Sequence, residues 1–362
     1  MKKTPLYNEH LALKAKMVGF HGWDMPLQYT GIIEEHLHTR NMVSVFDICH
    51  MGEFLIKGPN AAEDINHLFT SAVDSLKIGQ CRYGFLLNEK GRILDDLITY
   101  RLDQNEFMLV VNAETKVNDA AWIKGHLSKG TFFEDISDRT AKIDLQGPHS
   151  QEVLSSLIDS PLDGLKYFGF KSGKMRGIKS IISRTGYTGE LGFELYFDID
   201  SAVNIWEIIL NIKIVKPAGL GSRDTLRLEM GYPLYGQDIN LEYTPVESGH
   251  MHLISMDKDF IGKPAIEQQV SKGAHQNLVG FILEGRQAVR PGYDIFCDNK
   301  KIGIVTSGSF CPSLKCAIGL GYVKPGFKNT GTELNFVSGR RQLSGQVAGL
   351  PFYKKGTVRR ES

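Results

Sequence analysis

Two stretches decide the architecture: Phe54-Leu-Ile-Lys-Gly-Pro-Asn-Ala-Ala-Glu-Asp-Ile-Asn-His-Leu68 and Ile143-Asp-Leu-Gln-Gly-Pro-His-Ser-Gln-Glu-Val-Leu-Ser-Ser-Leu157. Each alternates as a strand does, turns on Gly-Pro, and runs into a helix whose first residues can cap it. A β-turn-α unit used twice predicts an α+β sheet region. Between the two units, the apolar residues of Tyr83 to Asp103 flank Asn88-Glu-Lys-Gly91, a hairpin signal in which glycine supplies the positive φ. Asp95 and Asp96 then stand at the start of the returning strand.

Further along, a strand from Ile181 enters the glycine-rich bend Thr185-Gly-Tyr-Thr-Gly-Glu-Leu-Gly192 and leaves as Phe193-Glu-Leu-Tyr-Phe197. Helices are expected over Ser201 to Leu210 and over Ser222 to Met230, the second opened by Ser222 or a near neighbour. The polar segment Lys263 to Asn277 reads as a linker. After it, Leu278 to Leu283, Lys301 to Val305 and Ala317 to Val323 alternate with Gly and Pro turns, the pattern of a small all-β barrel.

A chain of 362 residues with 42% hydrophobic and 23% charged residues is globular and large enough for more than one core. Its formal net charge of +1 supplies no field that would draw it to nucleic acid or an anionic membrane. The opening Met-Lys-Lys-Thr-Pro-Leu-Tyr continues into polar and charged residues, and no run of about 18 apolar residues occurs. A cytoplasmic protein without a membrane span is therefore expected. Five cysteines (Cys49, Cys81, Cys297, Cys311, Cys316) fit no common zinc spacing and read as reduced thiols. The histidines at 36, 38, 50, 250 and 252 include no i, i+4 pair with an interposed Glu, so no metal site is expected.

Adjacent acids on a strand face opposite ways, so only one of Asp95 and Asp96 enters a given cleft; the bland alternative is an acid at a turn, in solvent. The Thr185 to Glu190 run is neither a dinucleotide fingerprint nor a phosphate loop. Its glycines permit close approach of a flat ligand and Tyr187 offers a stacking face, although an ordinary bulged hairpin has the same composition. Glu194 can accept two parallel hydrogen bonds from an N-C-N edge, or lie at the surface. Arg223 and Arg227, one helical turn apart, have Asp224 and Glu229 as candidate partners in surface ion pairs.

Taken together, Thr4-Pro-Leu-Tyr, Phe20-His-Gly-Trp-Asp-Met-Pro-Leu, Val45-Phe-Asp-Ile-Cys-His-Met-Gly-Glu53, Gly91-Arg-Ile-Leu-Asp-Asp-Leu97, Leu145-Gln-Gly-Pro148, Ser183-Arg-Thr-Gly-Tyr-Thr-Gly-Glu190, Gly219-Leu-Gly-Ser-Arg-Asp-Thr-Leu-Arg-Leu-Glu229 and Lys258-Asp-Phe-Ile-Gly-Lys263 resemble the aminomethyltransferases, the T-proteins of the glycine cleavage system. The resemblance runs in order from one end of the chain to the other. It implies a folate-binding α+β region over 1–263, two intertwined subdomains with ferredoxin-like units around a central channel, followed by a C-terminal β-barrel domain over 278–358. It also implies tetrahydrofolate as co-substrate with no metal or flavin, and a lipoylated H-protein as partner. Carried over by motif, Asp96 is the catalytic carboxylate beside the reacting folate nitrogens, Glu194 grips the pterin edge, Arg223 fixes the ligand, and Tyr83, Asn112 and Tyr187 are folate contacts.

Three departures stand out. Where the family usually has Lys-Ala-x-Tyr-Ser, this chain has Gln80-Cys-Arg-Tyr-Gly84; its Gly-Leu-Gly-Trp-x-Val-Lys stretch becomes Gly249-His-Met-His-Leu-Ile-Ser255; and Met230 stands where Ala is common. They point to altered folate or H-protein affinity. A non-catalytic folate-binding paralogue on the same fold is the alternative reading.

Overall fold

A computed structural model describes residues 1–359. Its centre is a pair of sheets. One has six strands in the order Phe170–Met175, Ile178–Ser183, Gly192–Asp198, Thr140–Gln146, Val43–Asp47, Val215–Pro217; the other has five, in the order Cys81–Leu87, Ile93–Asp103, Glu106–Val111, Gly52–Lys57, Phe132–Asp135. Helix Ala202–Leu210 packs on the first, with Ile205, Trp206 and Ile209 buried among Val43, Ile143 and Leu195. Helices Ala61–Leu68 and Lys116–His126 cover the second through Ile65, Leu68 and Ile123. The uncovered faces meet each other. Cys81, Tyr100, Met108 and Val110 of the five-stranded sheet share a cluster with Phe170 and Tyr196.

The two Gly-Pro units occupy equivalent places in the two sheets. Strand Gly52–Lys57 turns into helix Ala61–Leu68, and strand Thr140–Gln146 into helix Ser150–Ser155. Gly58 and Gly147 have φ of +142° and +139°, and a Cβ on either would fall 2.3 Å from the Gly130 oxygen or 2.1 Å from the Met42 oxygen. Only glycine fits such a crossing. The expected side-chain caps are absent: neither Asn60 nor His149 caps its helix with a side-chain hydrogen bond.

Helix Leu220–Glu229 begins two residues before Ser222. Its start is held instead by Glu35, which accepts from the Gly219 amide at 2.8 Å, while the Ser222 hydroxyl donates back to the Gly219 carbonyl at 2.9 Å. Arg227 does pair with Asp224, at 2.8 Å, but not as a surface residue. It is 1% exposed and bonded to Asp238 at 2.6 Å and Ser307 at 2.9 Å. Glu229 pairs with neither arginine of its own helix but with Arg40, 2.8 Å away, because the helix is wedged between the sheet region and the barrel.

The segment read as a polar linker contains a helix, Lys263–Lys272. Gly262 and Gly273 bound it with φ of +91° and +83°. One apolar side chain anchors it: Ile266 is fully buried with Phe85, Leu87, Ile93 and Phe260, a burial worth about 1.5–3 kcal/mol. A single anchoring residue leaves little periodicity for sequence reasoning to find. The barrel closes through Asn277–Leu283, Cys316–Val323, Lys300–Cys311, Asp294–Cys297, Glu333–Ser338 and Arg341–Ala348. A polar seam joins it to the rest, in which the Cys311 thiol and Ser313 hydroxyl each donate to Glu229 at 2.8 Å.

Candidate functional site

The hairpin Cys81–Leu87/Ile93–Asp103 places the two acids as strand alternation requires, Asp95 fully buried and Asp96 partly open. Both nevertheless reach Asn112, just past the end of the neighbouring strand. The Asn112 amide nitrogen Nδ2 lies 2.8 Å from Asp95 Oδ1 and 2.9 Å from Asp96 Oδ1, and its backbone N–H donates to Asp95 Oδ2 at 3.1 Å. The Tyr83 hydroxyl donates to Asp96 Oδ2 at 2.9 Å. Asp96 is thus fixed at both oxygens. Burial, then the neighbouring Asp95, pushes its pKa up to about 7.

Glu194 lies on the six-stranded sheet in a different setting. It is ion-paired with Lys142 at 2.9 Å and accepts from the Thr185 hydroxyl at 2.5 Å. Burial opposes its ionisation, but Lys142 and that hydroxyl outweigh burial and hold its pKa below the usual carboxylate value. The Tyr100 hydroxyl, 3.4 Å away, is a third donor, which leaves uncommitted about one of a carboxylate's four acceptor sites. Arg223 donates to Asp144 at 2.5 Å and its guanidinium lies 5.1 Å from the Tyr187 ring. Burial carries Asp144 up to about 6 despite Arg223.

Tyr187 sits between the two groups. Its hydroxyl donates to the Pro233 carbonyl, its ring lies near-parallel to Tyr232 at 5.9 Å, and Arg227, Asp96 and Arg223 all act on it electrostatically. The glycine-rich loop that carries it is clamped by Gln146, which donates to the Thr185 carbonyl at 3.1 Å and accepts from Thr188 at 2.7 Å. A Cβ on Gly186 would lie 2.3 Å from that side chain. The Leu-Gln-Gly-Pro and Thr-Gly-Tyr-Thr-Gly motifs are therefore two parts of one contact.

Of the six residues singled out in the sequence, Asp96, Tyr83 and Asn112 gather at the five-stranded sheet, Glu194 lies on the six-stranded sheet opposite Asp144, which Arg223 reaches from helix Leu220–Glu229, and Tyr187 stands between. Sequence reasoning missed the buried charges that support them. Lys142, Asp144 and Gln146 occupy alternate positions of one strand, a polar face whose period of two was legible. His50 and Glu53 were not. His50 is 6% exposed with Nδ1 unpartnered, and burial lowers its pKa to about 4; Glu53 is 1% exposed with Oε1 unpartnered, and burial raises its pKa to about 8. Among the described residues no group of three or more His, Cys, Asp or Glu is placed to hold a metal ion.

Three of the departing residues are built into local structure, whereas His252 is exposed. Ser255 accepts from the Ala72 amide at 2.9 Å, Gln80 from the Lys77 amide at 3.0 Å, and Met230 packs on Gly189. A Cβ at Gly84 would fall 2.7 Å from the Phe69 ring, so a side chain there has no room.

Two facing α+β sheets with buried charge between them, joined to a closed barrel, define the class: the GCVT N-terminal domain matches residues 6–258 and the glycine cleavage T-protein C-terminal barrel domain matches 276–354. The chain is 43% identical to the aminomethyltransferase of Halothermothrix orenii over 97% of its own length and 100% of that protein, and 42% identical to that of Thermotoga maritima over the full length of both. The crystal structure of the glycine cleavage system aminomethyltransferase T from Bartonella henselae superposes with a TM-score of 0.93 at 35% identity, covering 98% of this chain and 99% of that one. The chain belongs to the aminomethyltransferases, the T-protein family of the glycine cleavage system.

Proposed function

We propose that the protein transfers the methylene of an aminomethyl group, carried on the lipoyl arm of H-protein, to tetrahydrofolate. The products are 5,10-methylenetetrahydrofolate, ammonia and dihydrolipoyl H-protein. Tetrahydrofolate supplies the two nucleophilic nitrogens. Asp96 acts as a fixed carboxylate beside them, orienting the nitrogens and favouring the positive charge that develops as they attack. The observation that carries this role is its restraint: Tyr83 and Asn112 hold both oxygens while the residue stays partly open. Glu194, kept ionised by Lys142, accepts from the pterin edge. Arg223 fixes the bound ligand, and Tyr83, Asn112 and Tyr187 complete the folate contacts.

Folate-dependent ammonia release from aminomethylated H-protein tests the reading. Stoichiometric release on adding tetrahydrofolate supports it. Folate binding without release favours the non-catalytic paralogue, although Gln80 and Ser255 already serve local backbone contacts and give that reading no specific support. With H-protein as donor, the reaction belongs in the cytoplasm with the other glycine cleavage components. No described helix is long and apolar enough to cross a membrane.

A further inference from the structure

After the last barrel strand, Arg341–Ala348, the chain leaves the barrel and runs back to the sheet region. Phe352 is buried with Leu228, Cys311 and Leu320, the Tyr353 amide donates to the Glu229 carbonyl at 2.9 Å, and the Arg40 guanidinium lies 4.1 Å from the centre of the Tyr353 ring. Residues 356–358 then lie along the glycine-rich loop that carries Tyr187. The Val358 amide donates to the Gly189 carbonyl at 3.1 Å, and a Cβ on Gly356 would fall 2.4 Å from that same oxygen. Thr357, between them, makes the tightest stitch. Its hydroxyl donates to Glu190 Oε2 at 2.6 Å and accepts from the Leu191 amide at 2.9 Å, while its own amide donates to the same Glu190 oxygen at 3.1 Å. Thr357, Glu190 and Leu191 are all buried. The other Glu190 oxygen is held by Arg40 at 2.8 Å, and the same Arg40 nitrogen reaches the Thr188 carbonyl at 2.7 Å.

We infer that Thr357 is a positioning residue for the folate contact at Tyr187: the C-terminal segment is a strap by which the barrel sets the conformation of the glycine-rich loop. The inference rests on the role given to Tyr187 under the proposed function. Thr357 touches no reacting group and acts through Glu190 and Leu191. The loop is gripped on both sides of Tyr187, with Gln146 and Glu194 holding Thr185 before it and Arg40 and Thr357 holding residues 188–191 after it. Such a loop needs external support, because Gly186 and Gly189 give its backbone wide freedom. Ordering it in advance spares ligand binding that entropic cost. A loosened strap therefore weakens folate binding while leaving the chemistry of the bound state intact.

Thr357→Val keeps the shape of the side chain but removes the hydroxyl, which leaves the buried Leu191 amide unsatisfied and takes one donor from Glu190. The KM for tetrahydrofolate should rise roughly tenfold with kcat within about twofold of wild type. Thr357→Ser restores the hydroxyl and should restore KM. Gly356→Ala lifts the strap by a separate route, crowding the Gly189 carbonyl, and should raise KM in the same way. Hydrogen exchange over residues 185–192 should quicken in Thr357→Val and Gly356→Ala and stay slow in Thr357→Ser. A Thr357→Val protein that loses thermal stability while KM and loop exchange keep their wild-type values overturns the inference, as does a failure of Thr357→Ser to rescue. Should Thr357→Val not fold, a wild-type KM in Gly356→Ala overturns it equally. If the wild-type protein neither binds tetrahydrofolate nor releases ammonia, the functional reading fails instead, and loop exchange alone decides whether Thr357 orders the loop.

Discussion

Lys142 and Glu194 form an ion pair at 2.9 Å with side chains 1% and 5% exposed. They stand diagonally across neighbouring strands, where Lys142 is directly opposite Tyr196 and Glu194 opposite Asp144. Burial of this kind is costly for either charge alone.

Glu194→Gln is therefore expected to do two things at once. Folate binding should weaken by roughly 1.5–3 kcal/mol through the lost charge-assisted bonds. Stability should also fall, by up to about 3–5 kcal/mol, because Lys142 is left buried and unpaired. Denaturant unfolding and folate titration separate the two. Lys142→Met/Glu194→Gln should recover most of the stability and none of the folate affinity; recovery of affinity would remove Glu194 from the site.

Asp96→Asn should lower transfer on the order of 10²-fold with folate binding little changed, since the carboxylate acts on charge that appears during reaction. Asp95→Asn resembles the protonated acid and should lower it less than tenfold. With the Asp96 pKa at about 7, wild-type transfer should rise with pH through neutrality. An enzyme with a flat profile between about pH 6 and 8 would contradict this assignment of the working carboxylate.

Glu53 is predicted to make the protein less stable as pH rises. Its folded pKa is raised from 4.5 to about 8, so the folded state keeps a proton that the unfolded chain releases above 4.5, and stability is lost across that window. Glu53→Gln should be more stable than wild type at pH 8, on the order of 2–4 kcal/mol, with the gap closing toward pH 5. Melting curves at the two pH values check the sign.

Gly186→Ala should disorder the Tyr187 loop, because its Cβ would fall 2.3 Å from the Gln146 side chain, which is itself held by Thr185 and Thr188. We expect a loss of roughly 1–3 kcal/mol, as for other overpacked positions, with weaker folate binding. Adding Gln146→Ala should relieve the clash. If the double variant is no more stable than Gly186→Ala, steric crowding is not the cause.

Local pattern made much of this protein legible in its sequence. Gly-Pro turns, the hairpin at Asn88 to Gly91 and the alternation around Asp95 and Asp96 are near-neighbour effects, governed by backbone sterics and a period of two. The barrel strands, bounded by Gly and Pro, were legible for the same reason. Tertiary structure alone decided which charges are buried together. Arg227 reads as a surface residue until Asp238 and Ser307 close over it, and Glu229 meets Arg40 from a helix 189 residues earlier in the chain. No local pattern announces that Lys142 neutralises Glu194, because the free energy of a buried charge is set by partners that only the packed fold brings within hydrogen-bonding distance.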